Sequence, residues 1–416
     1  MIACMNFDVV IIGGGLVGAS LAAALRDSGL SLALVESQSA AEPATGWDSR
    51  IYAISPGSRS FLERSGVWPL LDASRIAPVE AMRVFGDSGG VNSTSALADS
   101  GLPTFSAELE FSAYQMGVAE LACILENRAL QRALWQRLAQ QENLTLLHPA
   151  SCAALRFAGE AAELTLQDGR TLSAKLVVGA DGRDSWVREQ AGISAAPVDY
   201  QQHGVVANFS CELPHRGIAY QWFQPDGILA LLPLPGDQVS MVWSVGARET
   251  FVPAPEQKFH VPLLALSHDE LCTQVAAASQ HTLGKLKIIT APAAFPLRML
   301  TLPHIVGPRL ALVGDAAHNI HPLAGQGVNT GFRDARQLAQ LLLERGTQND
   351  CGDAHLLRSY ERKRKEDIYT MQATTYGLKH LFNNDVPLLR TMRNLGLSAT
   401  NRITPLKKML MQHALN

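Results

Sequence analysis

Two hydrophobic rhythms alternate along the chain, and their order outlines a fold. Val9 to Ile12 is an unbroken β-branched run, the pattern of a parallel strand covered on both faces. Glycines follow at once. Leu16 to Asp27, rich in Ala and Leu, then reads as a helix, with Gly29 placed where a C-cap is expected. Leu32-Ala33-Leu34-Val35 is a second strand that stops at Glu36. This strand–helix–strand unit occupies about thirty residues, as a βαβ crossover requires.

Leu121 to Leu138 carries helical periodicity, and Leu144 to Leu147, Ala153 to Phe157 and Ala162 to Leu166 are short strand candidates. Gln167-Asp168-Gly169-Arg170 is a hairpin turn. Leu176-Val177-Val178-Gly179-Ala180 repeats the buried-strand pattern. Between 195 and 295 the character changes. Segments such as Ile228 to Leu232 and Gln238 to Val245, separated by Pro- and Gly-containing turns, predict an antiparallel sheet. Leu310 to Val313 returns to the buried-strand pattern, Thr330 to Arg345 reads as a helix, and the chain after Leu356 is mainly helical. The expected class is α/β. A nucleotide-binding half is assembled from the start, a middle piece and residues 310–345, an antiparallel sheet is inserted between them, and the C-terminus is helical.

Composition supports that size of structure. The 416 residues suit two intimately joined domains, and 47% hydrophobic against 18% charged residues supply a large core. A formal net charge of -3 gives no footing for nucleic acid as a partner. The six cysteines are scattered without a CxxC pair or metal-ligand spacing, so free thiols in a reducing cytoplasm are expected. The N-terminus shows no basic region followed by a removable apolar stretch, and no segment approaches the roughly 20 apolar residues that span a bilayer. The expectation is a cytoplasmic protein, soluble or attached peripherally to the inner face of the cytoplasmic membrane.

Three motifs carry candidate chemistry. Gly13-Gly14-Gly15-Leu16-Val17-Gly18 fits G-x-G-x-x-G. Gly13 makes the tight turn, Gly15 lets backbone approach a pyrophosphate, and Gly18 permits close helix–sheet packing, in a Rossmann-like unit. The helix N-terminus offers unpaired N–H groups to phosphates. Glu36, at the end of the second strand, is placed to accept ribose hydroxyls and to repel a 2′-phosphate. The fingerprint alone does not separate NAD from FAD. Gly179-Ala180-Asp181-Gly182-Arg183 and Gly314-Asp315-Ala316-Ala317-His318 each set a carboxylate at a strand's carboxyl end, facing the crevice of an open α/β sheet. Taken singly, such a motif is a turn signal more often than a ligand contact.

In this order, the three motifs resemble the aromatic-hydroxylase flavoproteins, of which para-hydroxybenzoate hydroxylase is the familiar type. The stretch His318-Asn319-Ile320-His321-Pro322-Leu323-Ala324-Gly325-Gln326-Gly327-Val328-Asn329 is similar to the signature of the FAD-dependent ubiquinone-biosynthesis hydroxylases. Asp48 to Ser55, Glu126 to Gln131 and Met392 to Leu397 are further matches, and the resemblance covers essentially the whole chain. Thr330-Gly331-Phe332 departs from the family's usual Leu-Gly-Leu, while Asp334 is retained. The resemblance implies FAD as cofactor, held by Gly13, Gly15, Gly18, Glu36, Arg50, Arg128, Gln131, Asp181, Gly182, Asp315, Pro322, Gly325, Gln326, Gly327, Val328 and Asn329. It divides the chain into FAD-binding parts at 1–75, 116–190 and 299–355, substrate-domain parts at 76–115 and 191–298, and a helical C-terminal region at 356–416.

The implied reaction is hydroxylation of a prenylated phenol or benzoquinol by molecular oxygen through a flavin C4a-hydroperoxide, most specifically at the demethoxyubiquinol step. NAD(P)H or a protein donor would serve as transient reductant, since a second glycine fingerprint is absent. Such chemistry belongs to the cofactor, so no side chain is nominated as nucleophile or base. Gly325 and Gly327 let backbone run flush against a planar ring, and the helix beginning near Asn329 can face negative charge on reduced flavin. His318 and His321 lack a third ligand, which leaves them structural or substrate-facing and leaves no metal site. Tyr220, Trp222, Phe223 and Trp243 are candidate lining of the substrate cavity, with plain core as the competing reading.

Residues 380–416 carry Arg390, Arg393, Arg402, Lys407 and Lys408 against Asp385, interleaved with Leu and Met. The stretch reads as a helix packed on the FAD domain or as a contact for anionic lipid or partners in a ubiquinone-biosynthesis complex. Two alternatives remain open: an FAD oxidase or dehydrogenase acting on a small amine or alcohol, and a flavin-bearing subunit that mainly scaffolds such a complex. Hydroxylation at another ring position, or at several, is a further variant of the main reading.

Overall fold

The computed structural model describes residues 4–38, 46–86, 108–224, 227–246, 262–319, 327–346 and 349–382, with side chains in the last helix described as far as residue 372. Its first sheet has Met5–Ile12 at the centre. Thr171–Gly179 lies parallel on one side and Leu32–Val35 on the other. Leu310–Leu312 and Leu144–Leu147 extend the parallel order outward. Val9, Val10 and Ile11 are completely buried, as a β-branched run between two layers must be. The hairpin Cys152–Ala158 and Ala161–Leu166 pairs antiparallel onto Thr171–Gly179, and Gly169 takes the turn at φ +89°.

The second sheet carries the strands Val198–Cys211, Ile218–Gln224, Gly227–Leu234, Gln238–Gly246, Leu286–Ile288 and Ala293–Met299. Ala81–Phe85 and Glu108–Ser112, distant in sequence, complete its far edge. Ala81–Phe85 runs parallel to Ile218–Gln224, so the sheet is antiparallel except at this one described junction. Period-2 alternation separates its faces. Val205, Ala207, Phe209, Tyr220, Trp222, Leu229, Leu231, Met241 and Trp243 pack as one core with the helix His268–Ala278. The opposite face looks toward the first sheet.

Two local expectations give way to tertiary contacts. Leu121 to Leu138 is not one helix. Ala122–Glu126 is a strand between Ile51–Ile54 and Ala77–Val79, and the helix runs only over Asn127–Leu138. Cys123 to Glu126 are buried, so pairing on both sides overrides a periodicity that a short apolar run also satisfies. The first helix ends at Ala24 with Leu25 as C-cap, and Gly29 (φ +69°) instead shapes the turn into the next strand.

Phe209 is fully buried at the middle of the second sheet's outer core. Phe209→Ala should destabilise the protein by about 3–5 kcal/mol, chiefly through the cavity left behind. Denaturant unfolding followed by fluorescence measures this, and a loss near zero would show that the outer face is not the packed core described.

Candidate active site

The glycine turn is fixed by contacts that tolerate no larger residue at two of its positions. Gly13 sits at φ +108°, and a Cβ there would lie 2.3 Å from the Ala180 carbonyl oxygen. A Cβ at Gly18 would lie 2.1 Å from the Gly13 oxygen. Gly15 differs, because a Cβ on it would meet nothing and the residue borders a large cavity. It is also the N-cap of Leu16–Ala24 and supplies no capping side chain. Gly14 is clamped from both sides. The Glu36 carboxylate accepts its N–H at 2.7 Å, while Gln131 Nε2 and Trp135 Nε1 donate to its carbonyl at 2.6 and 3.0 Å.

The cavity, about 640 Å³, lies between the two sheets. Gly15, Leu16, Val17, Ala180, Gly182, Val313 and Asp315 border it from the first sheet's carboxyl edge, where open α/β sheets bind ligands. Arg50, Tyr52, Ser55, Gln131 and Gly327 to Asn329 form its side. Gly204, Val206, Ala219, Gln221, Ile228, Ala230, Leu232, Val242 and Ser244 make a largely apolar wall from the second sheet.

Beneath Gly314 lies a buried charge cluster. Asp334, wholly excluded from solvent, accepts the Gly314 N–H at 2.8 Å, His318 Nε2 at 2.6 Å and Arg364 Nε at 2.6 Å. Burial alone would raise the pKa of this carboxyl. The charges of His318 and Arg364, with the hydrogen bonds from His318 and Gly314, outweigh it and hold the group below its ordinary 3.8. Tyr360 donates to the Leu312 carbonyl at 2.9 Å, so the helix Ala354–Phe382 grips the strand that leads into Gly314. Asp315 is open to the cavity yet recessed in it. That depth raises its pKa, and His318, Arg183 and Arg50 pull against the rise.

The structure gathers most of the residues expected from the sequence. Gly15, Arg50, Gln131, Gly182, Asp315, Gly327, Val328 and Asn329 border the cavity, with Gly13 and Gly18 shaping the turn beneath it. Asn329 also stitches two elements, accepting the Ser55 N–H at 3.0 Å and donating to the Ala53 carbonyl at 2.7 Å. Asp181 stands apart. Its carboxylate accepts from Ser185 Oγ and the Val187 N–H, tying down the start of Trp186–Gln190, while its neighbours Ala180, Gly182 and Arg183 reach the cavity. Glu36 borders the glycine turn rather than the cavity, its second oxygen accepting the Gln38 N–H at 2.9 Å. Arg128 pairs with Asp48, 3.5 Å away, outside the cavity lining.

Tyr220 touches the cavity, but its ring stacks on Trp222 at 5.7 Å. Trp222 and Trp243 point to the sheet's other face because they lie one pleat out of phase with the wall. Phe223 packs with Val84 and Leu109. His321, Pro322, Gly325 and Gln326 lie outside the described residues. His318 borders the cavity and is held by Asp334, and among the described residues no cluster of His, Cys, Asp and Glu suits a metal. Sequence reading passed over Trp135, Ser55, Tyr52 and Gln221. Tyr52 and Ser55 lie within the matched stretch Asp48 to Ser55, and Gln221 shows as a polar residue amid the apolar middle of its strand.

These features fit a dinucleotide with a flat ring. The open side at Gly15 and the uncapped helix start suit a pyrophosphate, and the cavity continues past Asp315 to Asn329 with room for a ring system. Residues 6–374 match a family described as an FAD binding domain. The fold is that of PqsL from Pseudomonas aeruginosa, solved in complex with 2-aminobenzoylacetate, with a TM-score of 0.75 and 22% identity over 95% of this chain and 100% of that one. Fold and site define an FAD-binding protein with the architecture of that structure. The chain is 37% identical to the ubiquinone hydroxylase UbiL of Rhodospirillum rubrum, over 98% of this chain and 89% of that protein. It is 34% identical to the 3-demethoxyubiquinol 3-hydroxylase of Escherichia coli, over 98% of each. The chain belongs to the family of FAD-dependent ubiquinone-biosynthesis hydroxylases.

Two sets of variants separate cradle from scaffold. Gly15→Val adds atoms only to the cavity, so it should leave the melting temperature of FAD-free protein unchanged while weakening FAD affinity by about tenfold or more. Gly18→Ala, which collides with backbone, should lower that melting temperature. Equal loss of stability in both, read by calorimetry and flavin titration, would remove the distinction. Asp334→Asn leaves Arg364 short of a buried partner and should cost about 3 kcal/mol near neutral pH. Because the folded carboxyl is more acidic than an unfolded one, the gap between wild type and variant should hold above the ordinary 3.8 and close as pH falls below it. A gap independent of pH would show that charge is not what the site uses.

Proposed function

We propose that this protein hydroxylates the aromatic ring of a prenylated benzoquinol in ubiquinone biosynthesis, at the demethoxyubiquinol step. The observation that carries the reading is the two-sided cavity, with a backbone-built cradle on one side and a broad apolar sheet wall on the other. The 3-demethoxyubiquinol 3-hydroxylase similar over nearly the full chain supports the ring position. A neighbouring reading, hydroxylation at another or several positions, is favoured by the somewhat higher identity to a relative named only as a ubiquinone hydroxylase.

Bound FAD supplies the redox and oxygen chemistry. In this reading Gly13, Gly15 and Gly18 hold its pyrophosphate, and Glu36 its ribose. Arg50, Gln131, Asp315 and the segment up to Asn329 orient the remainder. Asp181 and Arg128 act at one remove, the first by fixing the turn through Gly182 and the second through Asp48. The apolar wall keeps ring and flavin together and excludes water, which protects the reaction from unproductive oxidation. The reductant is NAD(P)H docking transiently or a protein donor. The polyprenyl substrate resides in a bilayer, so a peripheral contact through 380–416, and association with other enzymes of the pathway, belong to the same proposal. No helix among the described residues is long and apolar enough to cross a membrane.

Deletion of this chain from its host should cause one prenylated intermediate lacking a single ring oxygen to accumulate, as read by mass spectrometry of extracted quinones. Demethoxyubiquinone as that species supports the stated step, and an earlier intermediate moves the reaction to another carbon. Unchanged ubiquinone in a strain without a second hydroxylase would end the reading.

A further inference from the structure

The cavity wall contains a neutral polar side chain whose chemistry nothing in the described protein uses. Cross-strand registry places Val206 opposite Val242, Val242 opposite Ala230, Ala230 opposite Gln221, Gln221 opposite Val84 and Val84 opposite Leu109. Cross-strand partners share a sheet face. Gln221 therefore stands in a row whose other members are all aliphatic, with Ala219 and Phe223 as same-face neighbours on its own strand. It is 5% exposed and borders the cavity. Among the described residues no hydrogen bond reaches its side-chain amide. Ser244, a second neutral polar residue on the same face, is already spent, since its hydroxyl accepts the Ile228 N–H at 2.9 Å.

The amide opens on the cavity, where a ligand can meet it, and an apolar residue of the same shape would leave the wall intact without it. The amide carries a donor and an acceptor side by side and no charge. That suits a neutral ring bearing a hydroxyl next to an alkoxy group better than it suits a carboxylate, which an arginine would hold in two parallel bonds. We propose that Gln221 reads the methoxy oxygen of the substrate ring, donating an N–H to it while its carbonyl accepts from the adjacent quinol hydroxyl. Gln221 then sets which precursor the wall accepts. This rests on the benzoquinol reading of the preceding section and adds the residue that selects among benzoquinols.

The test uses the full-length, FAD-loaded protein and two short-tailed 1,4-benzoquinols that differ only in carrying methoxy or hydrogen beside the hydroxyl. Binding is measured under anaerobic conditions by the change in flavin absorbance. Wild type should bind the methoxy quinol about tenfold more tightly, the scale of a hydrogen bond lost in a dry site. Q221L should bind the two alike, with undiminished flavin content and a ligand-free melting temperature equal to wild type or higher. Q221M, closer in shape, should behave as Q221L does and provides the comparison if the leucine variant packs poorly. Discrimination that survives in the variants, or a variant that loses both quinols equally, overturns the role of Gln221 and leaves the proposed function standing. Failure of wild type to bind either quinol overturns both.

Discussion

The ion cluster at Asp334 is the interaction on which the rest of the site depends. A carboxylate with no access to water persists only when charge and hydrogen bonds replace its hydration. Here the replacements come from three separate parts of the chain: the Gly314 N–H, His318 and Arg364. Satisfying Asp334 therefore fixes the strand exit at Gly314, the cavity-facing His318 and the helix Ala354–Phe382 relative to Gly327–Glu344, which carries Asp334 itself. Each of these borders the cavity or supports a segment that does. Val17 adds a steric lock at the same point, since a Cβ on Gly331 would come within 2.5 Å of its side chain. Charge thus ties Gly327–Glu344 to Ala354–Phe382, and close packing ties it to Leu16–Ala24, with the Gly314 turn held by both.

Much of this was legible in the sequence, and what was legible has a common cause. The central strands were readable because burial on both faces forces a run such as Val9 to Ile12, which few other structures require. The glycine turn was readable because close backbone approach admits only glycine at Gly13 and Gly18. The segment 121–138 was misread because Ile124 and Leu125 satisfy a helical stripe as well as a strand, and only pairing with Ile51–Ile54 and Ala77–Val79 decides. Trp222 and Trp243 were named for the cavity on residue type, but facing depends on strand phase. One residue of register separates them from Gln221 and Val242. Asp181 and Asp334 mark the same limit from another side. Both are aspartates near glycines, and only three-dimensional partners show that the described contacts of one cap a helix start while the other anchors a loop.

The two walls of the cavity recognise their ligands by different means, and this bears on how far family membership defines the reaction. The cradle side works through backbone: a turn without side chains, an uncapped helix start and the Gly14 carbonyl clamped by Gln131 and Trp135. Substitution at Gly13 or Gly18 meets main-chain atoms at little more than 2 Å, so the turn itself requires glycine at those two positions. The sheet wall works through side chains at alternate positions on strands whose backbone pairing is indifferent to what they carry. Val206, Val242, Ala230 and Gln221 can each change without disturbing the ladder beneath them, provided volume is kept. A resemblance carried by the cradle therefore establishes the cofactor long before it establishes the ring carbon. The choice of carbon is left to the wall, where side chains facing the cavity are free to differ.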